Sequence, residues 1–353
     1  MDGTAIALCE GHFSSPNGKT AHGLVRGTDR YRLLGVIDSA NAGRDAGETL
    51  DGKPNGIPIF ASLEEAAAKA GKPDYMVIGV APDGGMLPDA LRPVVAAALK
   101  MGINVDSGLH QMLGDDPEFR AAAESSGARV RDVRRPKPVS ELHFYQGRIG
   151  EIGSLRVAFL GTDSAIGKRT TAKIVLSALR EKGISAEMIG TGQTAWFQGL
   201  PFSMILDSTV NDFVAGEIEH AALSAWEAGK PRVMLFEGQG CLTNPAYPGG
   251  FEILAAARPQ AVVIQHAPRR AAYDGFPDFP LAGLDREKQI IELLSPGPVA
   301  AITINHEGMT REETDAAAAE LEAKHGVPAC DPIFHGPEKI VNAILAMEKG
   351  GGK

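Results

Sequence analysis

The chain has 353 residues, 44% hydrophobic and 22% charged, enough to bury a large core and, by length, to form two domains. A formal net charge of −9 argues against a basic face for nucleic acid, and no apolar run approaches the roughly 18 residues of a membrane span. The N-terminus has no charged region followed by an apolar stretch, so no secretory signal is indicated and a cytoplasmic protein is expected.

In chain order, the first half repeats a strand and helix rhythm. Apolar runs predict strands over Ala5 to Cys9, Leu33 to Asp38, Ile57 to Phe60, Tyr75 to Val80, Ile103 to Asp106 and Ala128 to Val133. Helices are expected over Leu63 to Ala70, Pro88 to Met101 and Pro117 to Ser126, the first with Ser62 as N-cap and Glu65 completing a capping box. Strands alternating with helices imply a parallel, doubly wound α/β sheet, whose ligands sit at the carboxyl ends of the strands. There the residues are polar or glycine-rich: Glu10-Gly11-His12, Asp38-Ser39, Ala81 to Gly85 and Ser107 to His110. The first turn, EGHFSSPNGKTAHG, holds no G-x-G-x-x-G, so a dinucleotide site lacks its main support. Asp38 fits either a ribose-binding acid or a turn residue, and Lys19 and Thr20 either contact an anion or are merely solvated.

The segment Arg134 to Ser140, RRPKPVS, reads as an extended linker and divides the chain into domains over residues 1–140 and 141–353. Strands are expected at Val157 to Leu160, Ala186 to Gly190, Val233 to Glu237, Ala261 to Gln265 and Ala300 to Asn305, with a helix from Lys168 to Leu179 and another from Val214 to Ala228. Between the first of these strands and its helix lies a glycine-rich phosphate cradle: Gly161, Thr162, Asp163, Ser164, Ala165, Ile166, Gly167, Lys168, Arg169, Thr170. Glycines let backbone N–H groups turn inward, the helix N-terminus adds partial positive charge, and Lys168 adds a full one. The motif departs from an ordinary P-loop in two ways. Five residues, not four, separate Gly161 from Gly167, and Arg169 stands where a Mg²⁺-binding Ser or Thr would follow the lysine. Thr170 comes one residue late, a rotation of about 100° around the helix. Phosphate binding without a required divalent metal is therefore expected.

Three further places can hold chemistry: Thr191 to Thr194, the turn Glu237-Gly238-Gln239-Gly240, and the run Asp207 to Asp212. Glu237 ends an apolar strand beside the phosphate loop, where it either acts as a general base or caps the next turn or pairs with Lys168. Asp212 either caps the following helix or serves as the base. His266, His306 and His335 share no metal-ligand spacing, and Cys9, Cys241 and Cys330 are too scattered for a disulfide framework or zinc cluster; no metal site is expected.

GTDSAIGK with the strand-end FEGQG resembles dethiobiotin synthetase over the second half. A closer resemblance covers nearly the whole chain. VIDSANAGRDAGE, IGVAPDGGMLP, SGLHQMLGDDPE, GTDSAIGKRTTA, TGQT, DFVAGEIE, FEGQGCLTNPAYPG and ACDPIFHG, in this order, resemble the D-glutamate N-acetyltransferase family, bacterial proteins long catalogued as of unknown function. The resemblance implies two doubly wound parallel-sheet domains, a Rossmann-like one followed by a P-loop one, and transfer of an acetyl group from acetyl-CoA to the amine of D-glutamate in D-amino acid catabolism. Residues 161–170 and Asn305 would then hold acetyl-CoA, and Glu237 or Asp212 would be the base. The TGQT and EGQG turns, with Gln193, Thr194 and Gln239, would face the acceptor, and Arg269 or Arg270 would anchor its carboxylates. A homo-oligomer, with a dimer favoured, is expected. The competing readings are an ATP-dependent kinase or ligase and a CoA- or nucleotide-binding module without catalysis.

Overall fold

The computed structural model describes residues 1–238 and 240–350. They form two compact units: residues 1–136 together with 193–201, and residues 137–192 together with 202 onward.

In the first unit, strands β1 (Gly3–Leu8), β2 (Tyr31–Ile37), β3 (Ile59–Phe60), β4 (Tyr75–Ile78), β5 (Asn104–Ser107) and β6 (Val130–Asp132) form one sheet in the order β3-β2-β1-β4-β5-β6. Every pairing is parallel. The crossovers carry α1 (Lys19–Val25), α2 (Ala46–Asp51), α3 (Leu63–Ala70), α4 (Arg92–Lys100) and α5 (Pro117–Ser126). α3 starts as its cap dictates, with Ser62 Oγ accepting from Glu65 N at 3.2 Å. The capping box is not closed, however: the Glu65 carboxylate accepts from Ala61 N rather than from Ser62. The helix expected from Pro88 begins at Arg92, after a 3-10 turn over Asp89–Leu91; Pro93 sits in its first turn, where no N–H is needed. Asp38 is buried and satisfied locally, accepting from Gly11 N at 2.9 Å and Asn41 Nδ2 at 2.7 Å, so it serves the turn.

In the second unit, β7 (Leu155–Gly161), β8 (Ala186–Gly190), β9 (Val233–Glu237), β10 (Ala261–His266), β13 (Val299–Ile304) and β14 (Ala329–Cys330) form a parallel sheet in the order β14-β13-β10-β7-β9-β8. β11 (Ala272–Tyr273) and β12 (Phe276–Pro280) make a separate antiparallel hairpin. The helices are α6 (Lys168–Glu181), the short α7 (Gln193–Phe197), α8 (Asn211–Gly229), α9 (Gly250–Ala257), α10 (Gly283–Leu294), α11 (Arg311–His325) and α12 (Glu338–Gly350). α7 belongs to the first unit, where Phe197 is fully buried among the core residues of that sheet. From Lys137 onward, within and beyond the RRPKPV segment, the chain is strapped to α8. Glu217 accepts from Lys137 Nζ at 2.9 Å, His143 N at 2.9 Å and His143 Nδ1 at 2.7 Å, and Glu219 accepts from Gln146 N and Ile149 N. A Cβ on Gly216 would strike the His143 carbonyl, so the strap lies directly on the helix backbone. Among the described residues no helix is long and apolar enough to cross a membrane.

Candidate functional site

The glycine-rich loop joins the central strand β7 to α6 and is braced by residues of several neighbouring segments. Gly161 packs so closely that a Cβ would meet the Gln265 carbonyl oxygen at 2.9 Å, and Thr162 N donates to that same oxygen at 3.0 Å. Thr162 Oγ1 lies 3.1 Å from His266 Nδ1, and burial pulls the His266 pKa down to about 4. Ala165 is exposed with φ 49°, a left-handed backbone that a non-glycine residue adopts only where its surroundings impose it. Ile166 is buried and its carbonyl accepts from Asn305 Nδ2 at 3.0 Å; Gly167, at φ 96°, opens α6.

Asp163 is the hub of the brace. Fully buried, it accepts from Asn244 Nδ2 at 3.0 Å, Arg270 NH1 at 3.0 Å and Asp274 N at 2.8 Å. Ser164 donates to Asp274 Oδ2 at 2.8 Å, and its carbonyl accepts from Arg270 NH1 at 2.9 Å. Arg270 is thus part of the loop's wall, its NH2 held by Glu307 at 2.7 Å. Arg269 points elsewhere, to an exposed ion pair with Glu313.

Two cations stand at the start of α6. Lys168 is buried, its Nζ donates to the Asp163 carbonyl at 2.6 Å, and burial holds its pKa below the usual lysine range despite the nearby Glu237, Cys241 and Asp163. Arg169 Nε donates to Glu237 Oε2 at 3.0 Å. Glu237 ends β9, which pairs with β7 in the register Phe159↔Glu237, so the acid comes to the loop from the next strand. Its own carbonyl accepts from Thr191 N and Thr191 Oγ1, both at 3.0 Å, and a Cβ on Gly238 would collide with that hydroxyl. This explains the glycine after the acid. Thr170 is half-buried, and the next hydroxyl, Thr171, donates to Gln265 Oε1 at 2.6 Å.

The loop after Glu237 is fixed from α10. Glu287, fully buried, accepts from Leu242 N at 2.6 Å and Thr243 Oγ1 at 2.7 Å, and burial raises its pKa above the usual carboxylate range. Gln239, expected to face the acceptor, lies outside the described residues. Asp212 is exposed in the first turn of α8, where a negative charge suits the helix dipole. Gln193 and Thr194 pack with the first unit: Gln193 Oε1 accepts from the buried Arg134 at 3.1 Å, and Thr194 lies against Gly23.

A second cluster, not assembled by sequence reasoning, follows Asn305. His306 Nδ1 is 2.5 Å from Asp331 Oδ2, and its ring stacks on Phe334 with centroids 4.0 Å apart. Asp331 is fully buried and its other oxygen accepts from Ile333 N at 2.7 Å and Phe334 N at 3.3 Å. A carboxylate only accepts, so Nδ1 carries the proton and Nε2 is left as the acceptor of the neutral ring. The signal was the ACDPIFHG segment itself, where the aspartate, phenylalanine and histidine lie within one turn; only folding brings His306 to them.

A six-stranded parallel sheet with a lysine-bearing phosphate loop after its central strand, preceded by a second parallel-sheet unit, defines a two-part α/β protein of the P-loop class. Residues 143–341 match a domain of unknown function described as the DUF1611 C-terminal P-loop domain, and residues 39–136 match its N-terminal Rossmann-like domain. The chain belongs to the DUF1611 family. It is 31% identical over 302 residues to a protein of Tritonibacter scottomollicae named D-glutamate N-acetyltransferase, covering 81% of this chain and 85% of that one. A Pseudoalteromonas protein of the same name is 28% identical over 300 residues, covering 81% and 87%. The crystal structure of a DUF1611 family protein from Anabaena variabilis superposes with a TM-score of 0.87 at 27% identity, over 97% of this chain and 99% of that one.

Proposed function

We propose that the protein is an N-acetyltransferase that moves the acetyl group of acetyl-CoA to the amine of D-glutamate or a closely related acidic amino acid. The observation that carries this reading is the preformed phosphate loop with Lys168 at a helix N-terminus, in a chain whose two named relatives are D-glutamate N-acetyltransferases. Coenzyme A brings a pyrophosphate and a ribose phosphate, anions that such a loop receives through backbone N–H groups, helix dipole and lysine.

In the reaction the neutral amine nitrogen attacks the thioester carbonyl carbon, the C–S bond breaks, and the sulfur leaves as the coenzyme A thiol. The ammonium proton must first be removed. Glu237 has its carboxylate fixed on Arg169, whereas His306 has an oriented ring and a free acceptor nitrogen, so His306 is the group we assign as base. Arg269 suits the anchoring of a substrate carboxylate better than Arg270. Its pair with Glu313 is exposed and of small net value, so it exchanges readily, while Arg270 is locked into the loop by Asp163.

The test is free-thiol release from acetyl-CoA with D-glutamate, L-glutamate and D-aspartate in turn. Thiol release with D-glutamate is expected; no release with any acidic amino acid overturns the reading, and consumption of ATP with release of ADP would put a ligase in its place.

A further inference from the structure

In an ordinary P-loop the Mg²⁺ ion is held by the hydroxyl that follows the lysine and by an acid at the end of a neighbouring strand. Here the acid is present and the hydroxyl is not. Glu237 occupies the strand end, with a side chain 4% exposed, and the residue after Lys168 is Arg169, whose Nε sits 3.0 Å from Glu237 Oε2. A magnesium ion needs an octahedral set of oxygens. The one carboxylate offered is already neutralised by a permanent cation, and a divalent ion brought to it would face the guanidinium. Thr171, the next hydroxyl, is committed to Gln265. The residues present therefore do not fit the metal that this fold class ordinarily uses.

We propose that Arg169, oriented by Glu237, is the built-in substitute for that metal, and that it makes the loop select a metal-free diphosphate ester over a Mg²⁺-nucleoside triphosphate. The pair uses only one face of the guanidinium, and its remaining N–H donors are free in chemistry to meet phosphate oxygens. Lys168 and Arg169 bring two positive charges and Glu237 removes one. That balance suits a diphosphate ester better than a triphosphate, whose extra charge Mg²⁺ would otherwise offset. The inference deepens the acetyl-CoA reading and names Arg169 as its specificity determinant, but the loop's metal independence can be tested apart from it.

The experiment is calorimetric titration of the full chain with acetyl-CoA, ADP and ATP, each in EDTA and in Mg²⁺. Wild-type affinity for acetyl-CoA and ADP should change by less than about twofold with Mg²⁺, and ATP should bind at least tenfold more weakly than acetyl-CoA. Arg169→Ser, which restores the hydroxyl, should lose tenfold or more in acetyl-CoA affinity and gain a Mg²⁺ dependence for ATP; Arg169→Lys should keep metal independence with weaker binding. Because Arg169→Ser leaves Glu237 unpaired and buried, Arg169→Ser with Glu237→Gln serves for the acetyl-CoA measurement where the single variant does not fold; having lost the acid, it should gain no Mg²⁺ dependence. A tenfold or greater gain with Mg²⁺ in the wild type, unchanged acetyl-CoA affinity in folded Arg169→Ser, or binding of none of the three ligands overturns the inference. Metal-independent ADP binding without acetyl-CoA binding overturns the acetyl-CoA reading alone.

Discussion

Acidification should destabilise the second unit through His266, by an amount the structure sets. The ring is half-buried at the end of β10 against Thr162, and loss of solvent, with smaller contributions from His325 and Lys324 and against that of Asp285, lowers its pKa from 6.5 to about 4. In the unfolded chain the ring gains a proton near pH 6.5; in the folded protein it stays neutral until about pH 4. A depressed folded pKa means stability that is complete above the unfolded value and is lost as pH falls through the folded one. At about 1.4 kcal/mol for each pH unit, that interval is worth about 3 kcal/mol. The chain has two tryptophans, Trp196 in the first unit and Trp226 on α8, so a Trp196→Phe background lets fluorescence report the second unit alone. Urea unfolding of that protein and of its His266→Gln derivative, from neutral pH to pH 4, isolates the histidine and its couplings, because groups that do not interact with it cancel in the difference. The two stability curves should converge as pH falls; curves that stay parallel across the window refute the reasoning.

Three further outcomes follow from the same contacts. Lys168→Ala should weaken acetyl-CoA binding by about 1 to 3 kcal/mol without unfolding the protein, as measured by calorimetry together with thermal melting. His306→Gln should lower kcat by about 10² to 10⁴ with little change in KM for acetyl-CoA; a raised KM with unchanged kcat would make His306 a binding group instead. Glu217→Gln should cost about 1 to 3 kcal/mol of thermal stability and speed proteolysis within residues 137–149, because three donors lose a buried carboxylate. Burial pushes the Glu217 pKa up, but His143 and Lys137 outweigh it and hold it below 4.5, so in the wild type this support should persist above pH 4.5 and fail below it.

Where local signals were strong, the fold was legible. Ala186–Gly190, Val233–Glu237, Leu63–Ala70 and Pro117–Ser126 lie where apolar runs, Ser62 and Pro117 put them. The phosphate loop was legible for the same reason, since its glycines and lysine are contiguous. What sequence did not reveal is long-range. The TGQT turn reads as part of the second sheet, yet Phe197 has its apolar partners in the other unit, and no local pattern encodes that choice. Asp163 looks like one more loop residue until Asn244, Arg270 and Asp274 converge on it from up to 111 positions away. Glu237 was visible as an acid beside the loop, but its partner proved to be Arg169, because the first turn of α6 places the longer guanidinium, not the Lys168 ammonium, against the end of β9.

These contacts also fix what binding an anion would require. A phosphate entering the loop need not break the Asp163 hub, which faces Asn244, Arg270 and Asp274, nor the Asn305 contact behind Ile166. It need not separate Arg169 from Glu237, since a guanidinium serves two acceptors at once. Among the described contacts, it would compete with the bond from Lys168 Nζ to the Asp163 carbonyl. There a neutral acceptor is exchanged for a charged one, so a bond already assisted by the ammonium charge gains the attraction of an opposite ion. Burial raises the cost of keeping Lys168 charged beside a carbonyl alone, so an incoming anion gains from stabilising it. A loop braced by side chains that a phosphate need not displace would spend little of its binding energy on reorganisation. The rest would be available to position the reacting end of a long ligand at a distance from its phosphates, as the proposed acetyl transfer would require.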